Sequence, residues 1–382
     1  MTLSETAPER QSQLGDPETG GTLVIELNAI EENFRVLTRL LPASECAAVV
    51  KANAYGLGLE PVTAKLANAG CRTFFVADLA EARRVRACAP DAAVYVLNGF
   101  SAAAAAAFAE INVQPVINTL PELAEWDAFV AASGWRGGAA IHVDTGMNRL
   151  GISVAEAAAL ASRLHNETHG FTLLMSHLAC AELPDHPLNA SQIRQFRELR
   201  LLYHGLPASL ANSSGIFLGE HAHFDMARAG AALYGINPTP GRANPMRSTI
   251  ELSGRILQLR QVRQGETVGY GGAWTARRAS RIAVASIGYA DGLLRAGSGS
   301  DDKRGTSAVI AGKRCPIAGN ISMDLACIDV TELTDDEVRR GDFAIFIGEQ
   351  ITLDEVAESA GTIGYEILTR LAPRCHLVYR GI

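Results

Sequence analysis

The sequence contains little lysine: only four of its 34 basic residues are lysine, and all the others are arginine. An arginine guanidinium keeps its proton at physiological pH. Chemistry that needs a neutral amine is therefore restricted to four side chains, those of Lys51, Lys65, Lys303 and Lys313. Lys65 lies in a helix-like segment and the last two lie in polar turns, whereas Lys51 follows an apolar, strand-like segment.

Several other absences limit the class of protein. No apolar segment approaches the roughly 18 residues that a membrane-spanning helix requires. The formal net charge is −7, which gives no general attraction to nucleic acid or acidic membranes. The seven cysteines are an odd number without a C-x-x-C pair, which argues against a disulfide framework and a zinc site. Residues 1–20 lack the features of a signal peptide and predict a disordered tail. Together these absences predict a cytoplasmic protein without a metal, membrane or nucleic-acid partner.

What the sequence does contain, from about residue 46 to 236, is an alternation of short apolar segments with alanine-rich helical segments. This pattern is typical of βα units around a parallel sheet. Helices are predicted at residues 79–88, 102–110, 121–132, 154–164 and 190–203, among others. Eight strands are predicted, ending near Lys51, Asp78, Asn98, Asn118, Asp144, His177, Asn212 and Arg228.

Eight parallel units close into a (β/α)8 barrel, in which chemistry gathers at the C-terminal ends of the strands. The alternative is an open doubly wound sheet, which would need a G-x-G-x-x-G turn after its first strand, and none is present. Beyond the proline- and glycine-rich residues 235–247 the composition becomes mostly β. We therefore predict a barrel over residues 21–245 and a mostly β domain over 246–382, with strand 22–27 compatible with either domain.

Lys51 is placed by this pattern at the C-terminal end of the first barrel strand. Desolvation there favours the neutral amine, which can condense with a carbonyl group to form a Schiff base. The alternative is a lysine whose stem packs while its ammonium group reaches water. Two later loops, residues 211–215 (ANSSG) and 228–231 (RAGA), present small residues after strands seven and eight, where barrel enzymes often hold a phosphate. An aldehyde and a phosphate on one ligand indicate pyridoxal 5′-phosphate.

Several motifs resemble those of bacterial alanine racemases, and they occur in the order of that family. They are residues 50–56 (VKANAYG), 142–152 (HVDTGMNRLGI), 226–237 (MARAGAALYGIN), 268–271 (VGYG), 287–292 (IGYADG) and 322–324 (SMD). The resemblance implies a pyridoxal-phosphate enzyme with a barrel and a β domain that interconverts L- and D-alanine and supplies D-alanine for peptidoglycan. It also implies a homodimer with shared active sites.

The resemblance assigns roles to individual residues. Lys51 carries the cofactor and is one catalytic base, and Tyr270 from the other subunit is the second base. Arg228 faces the pyridine nitrogen, with His177 near it. The remaining matches are the phosphate contacts Tyr55, Ser213, Gly230, Ala231 and Tyr365, the substrate-carboxylate groups Arg149 and Met323, and Tyr289 where the substrate enters.

Physical chemistry supports these assignments. Racemisation needs an acid and a base on opposite faces of a planar carbanion, which two residues supply more readily than one. Both lysine and tyrosine have ordinary pKa values near 10 and need tuning toward the working pH. We expect Arg149 and a protonated His177 to favour the tyrosinate form of Tyr270. We also hypothesise that Arg228, which donates to the ring nitrogen without protonating it, favours racemisation over transamination.

One position departs from the family pattern. Many relatives carry a lysine, reported as carbamylated, that braces the arginine matched by Arg149, whereas this chain has His142. An imidazole cannot supply the anionic carbamate. We therefore predict that another anion, such as chloride, or a neutral hydrogen bond positions Arg149. A simple packing role for His142 is the alternative.

Three other functions remain open at this stage. A racemase of broader specificity, acting for example on serine, is compatible with the same motifs. A decarboxylase of the same architecture would place an acidic residue at the pyridine nitrogen, where this chain has Arg228. A non-catalytic pyridoxal-phosphate carrier would lack the second domain, which contains Tyr270 and Met323.

Overall fold

The computed structural model describes residues 18–161, 170–371 and 373–382. They form two compact units, one of Ile30–Arg247 and one of residues 18–29 together with Ser248–Ile382. The predicted tail falls almost entirely on residues 1–17, outside the described residues. No helix among the residues described has both the length and the apolar character needed to cross a bilayer.

The first strand corrects the predicted domain boundary. Strand β1 (Gly21–Glu26) pairs antiparallel with residues 250–254 and parallel with residues 376–380, both in the second unit. The predicted start of the barrel domain at residue 21 is therefore wrong, because this strand belongs to the other sheet. Composition could not decide the question, since β1 is buried along nearly its whole length and an apolar strand fits either sheet.

The unit Ile30–Arg247 contains a closed barrel of eight parallel strands, as predicted. Strand β10 pairs with β2, and β5 pairs with β6, which closes the ring. A ninth short strand, β7, adds to β6. The strands are β2 (Glu45–Val49), β3 (Thr73–Val76), β4 (Ala93–Val96), β5 (Gln114–Ile117), β6 (Ala139–Asp144), β7 (Ile152–Ser153), β8 (Phe171–Met175), β9 (Ala208–Ser209) and β10 (Met226–Ala229).

The helices of this part of the chain follow the strands. The predicted helix 79–88 has those bounds in the structure, and the others agree within a few residues; positions 162–164 of the predicted helix 154–164 lie outside the described residues. The helices are α1 (Leu27–Arg39), α2 (Lys51–Tyr55, whose backbone is left-handed from residue 52), α3 (Leu59–Asn68), α4 (Leu79–Cys88), α5 (Ala105–Glu110), α6 (Leu120–Ser133), α7 (Val154–Leu160), α8 (Pro187–Leu202), α9 (Ser213–Ile216) and α10 (Glu220–His223), with 3₁₀ turns at Ala102–Ala104 and Ala231–Tyr234.

The second unit is mostly β, as predicted. Its main sheet has eight strands, and the predicted segment 308–330 divides into three of them. The strands are β11 (Ile250–Val262), β12 (Thr267–Val268), β13 (Trp274–Thr275), β14 (Ser280–Ala285), β15 (Ser307–Ile310), β16 (Lys313–Pro316), β17 (Ala326–Asp329), β18 (Phe343–Ile347) and β19 (His376–Arg380). Helices α11 (Leu353–Ser359) and α12 (Gly364–Arg370) precede β19, and 3₁₀ turns lie at Tyr270–Gly272, Tyr289–Asp291 and Arg295–Gly297.

The barrel core explains why polar residues meet at one end. Side chains alternate across a strand, so every second residue points into the barrel. The inward positions form an apolar cluster that includes Val49, Val116, Ala140, Met175 and Met226. Two residues further along each of these strands, the same alternation reaches a polar residue at the C-terminal end. These residues form the polar layer of the barrel, and they are Lys51, Asn118, His142, His177 and Arg228.

Candidate active site

Lys51 directly follows the first barrel strand, as the sequence predicts. Its side chain is partly buried, and none of the described residues forms a hydrogen bond or ion pair with its amine. Burial lowers the pKa of Lys51, and the positive charge of Arg149 lowers it further, while Glu81 opposes both effects. These effects shift the amine toward its neutral, nucleophilic form.

The four residues after Lys51 form a single left-handed turn. Ala52, Asn53, Ala54 and Tyr55 all have φ between 54° and 56°, although none is glycine. Left-handed backbone costs an L-residue roughly 1–2 kcal/mol. Such a strained segment persists only where surrounding contacts hold it, and this one links the amine of Lys51 to the phenol of Tyr55.

Arg228 is buried at the centre of the polar layer. Its Nη1 donates to the carbonyl and hydroxyl oxygens of Ser209 at 2.9 and 2.6 Å, and its Nη2 donates to the Ser176 carbonyl at 2.5 Å. Within the described ranges no carboxylate pairs with it, and its Nε has no acceptor. Burial lowers the pKa of Arg228 to about 10, so the guanidinium stays charged near neutral pH. One N–H is thus left to donate to a ligand.

His177 contacts Arg228 and is held neutral. Nη2 of Arg228 lies 3.2 Å from Nδ1 of His177, and since arginine can only donate, Nδ1 is the acceptor and the proton is on Nε2. Burial lowers the pKa of His177 well below its ordinary value, and the charge of Arg228 adds to this effect. A neutral His177 does not supply the positive charge that a protonated His177 would bring to the site.

His142 is also neutral, for a related reason. Burial lowers its pKa to about 4, and Arg228 contributes in the same direction. Its Nδ1 lies 2.7 Å from Oδ1 of Asn118, the residue that follows the neighbouring strand β5. His142 thus belongs to the polar layer and is not a residue that merely fills the apolar core.

Of the two ways predicted for positioning Arg149, only the neutral hydrogen bond can be compared with the structure. It lies on an exposed loop shaped by Asp144, whose carboxylate accepts the backbone N–H groups of residues 146, 147 and 148, each at 2.8 Å. Across residues 18–161, 170–371 and 373–382 no hydrogen bond reaches its guanidinium. The neutral hydrogen bond predicted for Arg149 is therefore absent among these residues. Positioning by an anion stays a prediction.

The residues of the barrel that are predicted to bind the phosphate lie close together. Ser213 Oγ accepts the N–H groups of Gly230 and Ala232 at 2.9 and 3.2 Å, so its own hydroxyl proton remains available for donation. A Cβ added at Gly230 would lie 2.6 Å from Oη of Tyr55, which shows how closely that phenol approaches the backbone. The Tyr55 ring stacks on Tyr234, with ring centroids 4.6 Å apart.

The remaining predicted residues lie in the second unit. Tyr270, Met323, Tyr289 and Tyr365 have exposed fractions of 70%, 53%, 41% and 39%. Hydrogen bonds connect the loops that carry three of them. The backbone N–H of Tyr289 donates to the Ser322 carbonyl at 3.0 Å, and Nδ2 of Asn320 donates to the Tyr270 carbonyl at 2.8 Å.

The structure also identifies residues that the sequence analysis missed. Asn118 orients His142, Ser209 holds Arg228, Tyr234 stacks on Tyr55, and Glu81 binds the left-handed turn. A signal existed for Glu81, since Asp78-x-x-Glu81 has the spacing of a helix-capping box. For Asn118 the signal was its place at the end of a predicted strand, whereas none existed for the contacts of Ser209 and Tyr234, because their partners are distant in sequence.

The arrangement fits pyridoxal phosphate on three counts. Lys51 supplies an amine whose pKa is lowered by burial. The free Nε–H of Arg228 can donate to an unprotonated ring nitrogen. Ser213, together with the backbone beside Gly230, supplies a hydroxyl donor and the close backbone approach that a phosphate needs.

Comparisons with known proteins agree with this geometry. Family models described as the N-terminal and C-terminal domains of alanine racemase match residues 25–238 and 249–379. An alanine racemase of Methylobacterium nodulans is 51% identical over 355 residues, which cover 93% of this chain and 95% of the relative. A catabolic alanine racemase of Mesorhizobium japonicum is 44% identical over 373 residues, covering 96% and 95%.

A solved structure is similar over nearly the whole chain as well. The alanine racemase of Bartonella henselae, whose crystal structure contains covalently bound pyridoxal phosphate, matches with a TM-score of 0.88 and 36% identity, covering 94% of this chain and 99% of that one. On the two domain models and these identities, the chain belongs to the alanine racemase family.

Proposed function

We propose that this protein interconverts L- and D-alanine with pyridoxal 5′-phosphate as cofactor, using Lys51 and Tyr270 as its two bases. The observation that carries the proposal is the pairing of two features in one polar layer. An amine whose pKa burial lowers shares that layer with a buried guanidinium whose Nε–H is free to meet a pyridine nitrogen.

The cofactor and the protein have separate tasks in this proposal. Pyridoxal phosphate, when bound, supplies a conjugated ring that delocalises the electron pair left when Cα loses its proton. Lys51 would hold the cofactor covalently between turnovers and, once the substrate amine has displaced it, would move a proton at one face of Cα. Arg228 keeps the pyridine nitrogen hydrogen-bonded but unprotonated, and Ser213, Gly230, Ala231, Tyr55 and Tyr365 hold the phosphate.

The second face of Cα is assigned to Tyr270. We propose that Tyr270 and Met323 come from the partner subunit of a two-fold dimer, because the family resemblance places them there and Tyr270 is highly exposed in one chain. Arg149 binds the substrate carboxylate, and Tyr289 lines the path by which substrate enters. A closed dimer then contains two equivalent sites.

The activity is tested by incubating purified protein with each L-amino acid and measuring the D-enantiomer by chiral chromatography. We expect D-alanine to form and to approach equal amounts with L-alanine. Faster conversion of serine or another amino acid would replace alanine racemisation with a broader activity. Failure to convert any amino acid in the presence of pyridoxal phosphate would overturn the proposal.

The covalent site is tested separately from activity. Borohydride reduction of the loaded protein followed by peptide mass mapping should place the pyridoxyl label on Lys51. Lys65 is a suitable internal control, because it lies in α3 and its amine binds Glu31 at 3.0 Å. A label on Lys65, Lys303 or Lys313, or no label, would contradict the assignment.

The shared site is tested by mixing two inactive variants. Lys51→Ala and Tyr270→Phe each remove one base. If the bases of one site come from different subunits, a mixed dimer has one site with both defects and one intact site, so exchange of subunits should restore activity. Mixed samples that stay as inactive as the parents, with subunit exchange verified by mass spectrometry, would show that both bases come from the same chain.

We further propose that the D-alanine serves peptidoglycan synthesis in the cytoplasm. The 44% identical relative named as catabolic makes D-alanine breakdown the alternative. A deletion strain of the source organism that requires D-alanine for growth would support the biosynthetic role. A strain that grows normally but cannot use alanine as its carbon source would support the catabolic one.

A further inference from the structure

Glu81 makes the contact that reaches into the left-handed turn between Lys51 and Tyr55. Its Oε1 accepts the backbone N–H of Asn53 at 2.9 Å, and its Oε2 accepts the N–H of Ala77 at 2.9 Å. Hydrogen bonds to an ionised acceptor are the strong class. One carboxylate therefore ties the strained turn to the end of strand β3.

This geometry differs from an ordinary helix cap. Glu81 is the third residue of α4, whose N-cap Asp78 accepts the Glu81 N–H at 3.0 Å. In a capping box the glutamate accepts the N–H of the N-cap residue itself. Glu81 instead accepts the N–H of the residue before the cap and that of Asn53 in another loop, so it does more than terminate its own helix.

The other hydrogen bonds of Asn53 have different partners. Asn53 Oδ1 accepts the Leu59 N–H at 3.1 Å and Nη2 of Arg84 at 2.7 Å, and the Asn53 carbonyl accepts the Gly58 N–H at 3.0 Å. These bonds tie Asn53 to the start of α3 and to α4. Glu81 instead holds the backbone N–H of Asn53 inside the left-handed turn, and its carboxylate also adds negative charge near the Lys51 amine.

We propose that Glu81 is a positioning residue of the active site: its carboxylate holds residues 52–55 in the left-handed conformation and thereby places the Lys51 amine and the Tyr55 hydroxyl for pyridoxal phosphate. The inference rests on the proposed function, since it concerns the same cofactor. Loss of the carboxylate lets the turn relax toward ordinary backbone angles. The amine and the phenol then no longer meet the cofactor together.

The test measures cofactor binding, not turnover. Apoprotein is titrated with pyridoxal phosphate, and the dissociation constant is read from the absorbance of the bound cofactor. Glu81→Gln keeps the length of the side chain, but its amide nitrogen would face an N–H donor, so one of the two bonds is lost. We expect its dissociation constant to rise about tenfold, which corresponds to about 1.4 kcal/mol.

Two further variants separate positioning from simple structural support. Glu156→Gln is the matched control, because Glu156 is the third residue of α7 and accepts the Ser153 N–H at 3.0 Å in an exposed capping box. It should bind the cofactor like the wild type. Ala52→Gly makes the left-handed conformation easier, because glycine adopts positive φ without a steric cost. Added to Glu81→Gln, it should restore binding to within about threefold of the wild type.

The outcomes distinguish this inference from the proposed function. Failure of the wild-type protein to bind pyridoxal phosphate overturns both. Wild-type binding with equal binding by Glu81→Gln, or no rescue by Ala52→Gly, overturns the role of Glu81 alone. If Glu81→Gln does not fold, the double variant is measured instead. If that is also unfolded while Glu156→Gln folds, Glu81 supports the helix only and the proposal is wrong.

Discussion

Asn118 fixes the tautomer of His142. Nδ2 of Asn118 donates to the carbonyls of Leu97 and Val116 at 3.3 and 2.9 Å, so its Oδ1 faces Nδ1 of His142 at 2.7 Å. His142 Nδ1 must therefore donate, and Nε2 carries the lone pair. His142 is thus a neutral acceptor whose orientation is set by Asn118, the residue that follows a neighbouring strand.

Replacing the amide by a carboxylate should change the charge of that imidazole. We expect Asn118→Asp to raise the pKa of His142 from about 4, because a nearby negative charge favours the imidazolium. NMR titration of the histidine ring protons measures it, with His142→Gln to assign the signal. Asn98→Asp, an exposed asparagine just after strand β4, is the control. An unchanged pKa would contradict the pairing.

The neutral His142 should also make stability depend on pH. The unfolded state takes up the proton near the ordinary pKa of about 6.5, whereas the folded protein takes it up only near pH 4. Between these values the unfolded state binds more protons, so stability falls as the pH falls. This effect lowers the free energy of unfolding as the pH falls. We expect His142→Gln to remove up to about 3 kcal/mol of that decrease.

Urea denaturation at pH 7 and at pH 4.5 measures this difference in the free energy of unfolding. His221→Gln changes an exposed histidine and serves as the control for removing one imidazole. The same pH dependence in wild type and His142→Gln would show that other groups dominate the acid sensitivity.

Cofactor binding should require glycine at position 230, because the phenol of Tyr55 lies where a larger side chain would be. In Gly230→Ala the new methyl group would lie 2.6 Å from Oη of Tyr55, which forces the phenol away. We expect the dissociation constant of pyridoxal phosphate to rise about tenfold. If the clash is the cause, Gly230→Ala combined with Tyr55→Phe should bind no worse than Tyr55→Phe alone. Additive losses would point to another cause.

Arg228 should control the fate of the substrate as well as stability. Arg228→Glu loses its donors to the Ser176 and Ser209 carbonyls, and we expect a loss of about 2–4 kcal/mol in stability. A carboxylate can share a proton with the ring nitrogen and make the ring a better electron sink. Conversion of the cofactor to pyridoxamine phosphate should therefore rise at least about tenfold relative to racemisation.

Chromatography of the cofactor after reaction with L-alanine measures that ratio. Arg228→Lys keeps a positive charge at the position and should show no such rise. An unchanged ratio in Arg228→Glu would refute the hypothesis that the guanidinium suppresses transamination.

The amino-acid sequence alone determined the barrel and the position of its reactive amine. Eight apolar segments separated by helical ones predicted the eight strands, and the scarcity of lysine singled out Lys51. These features are local: alternation along a strand and the composition on either side of it are visible within a few residues. The two loops predicted to hold a phosphate came from the same local pattern, whereas the individual phosphate contacts were predicted from the family resemblance.

Only the tertiary structure decided which polar residues act on one another. Asn118 and His142, or Glu81 and Asn53, are separated by 24 and 28 residues, and adjacent strands of the closed barrel bring them together. Burial then decides charge, and it makes both His142 and His177 neutral. The sheet to which strand β1 belongs was likewise decided only in the folded chain, because the composition of an apolar strand does not specify its pairing partner.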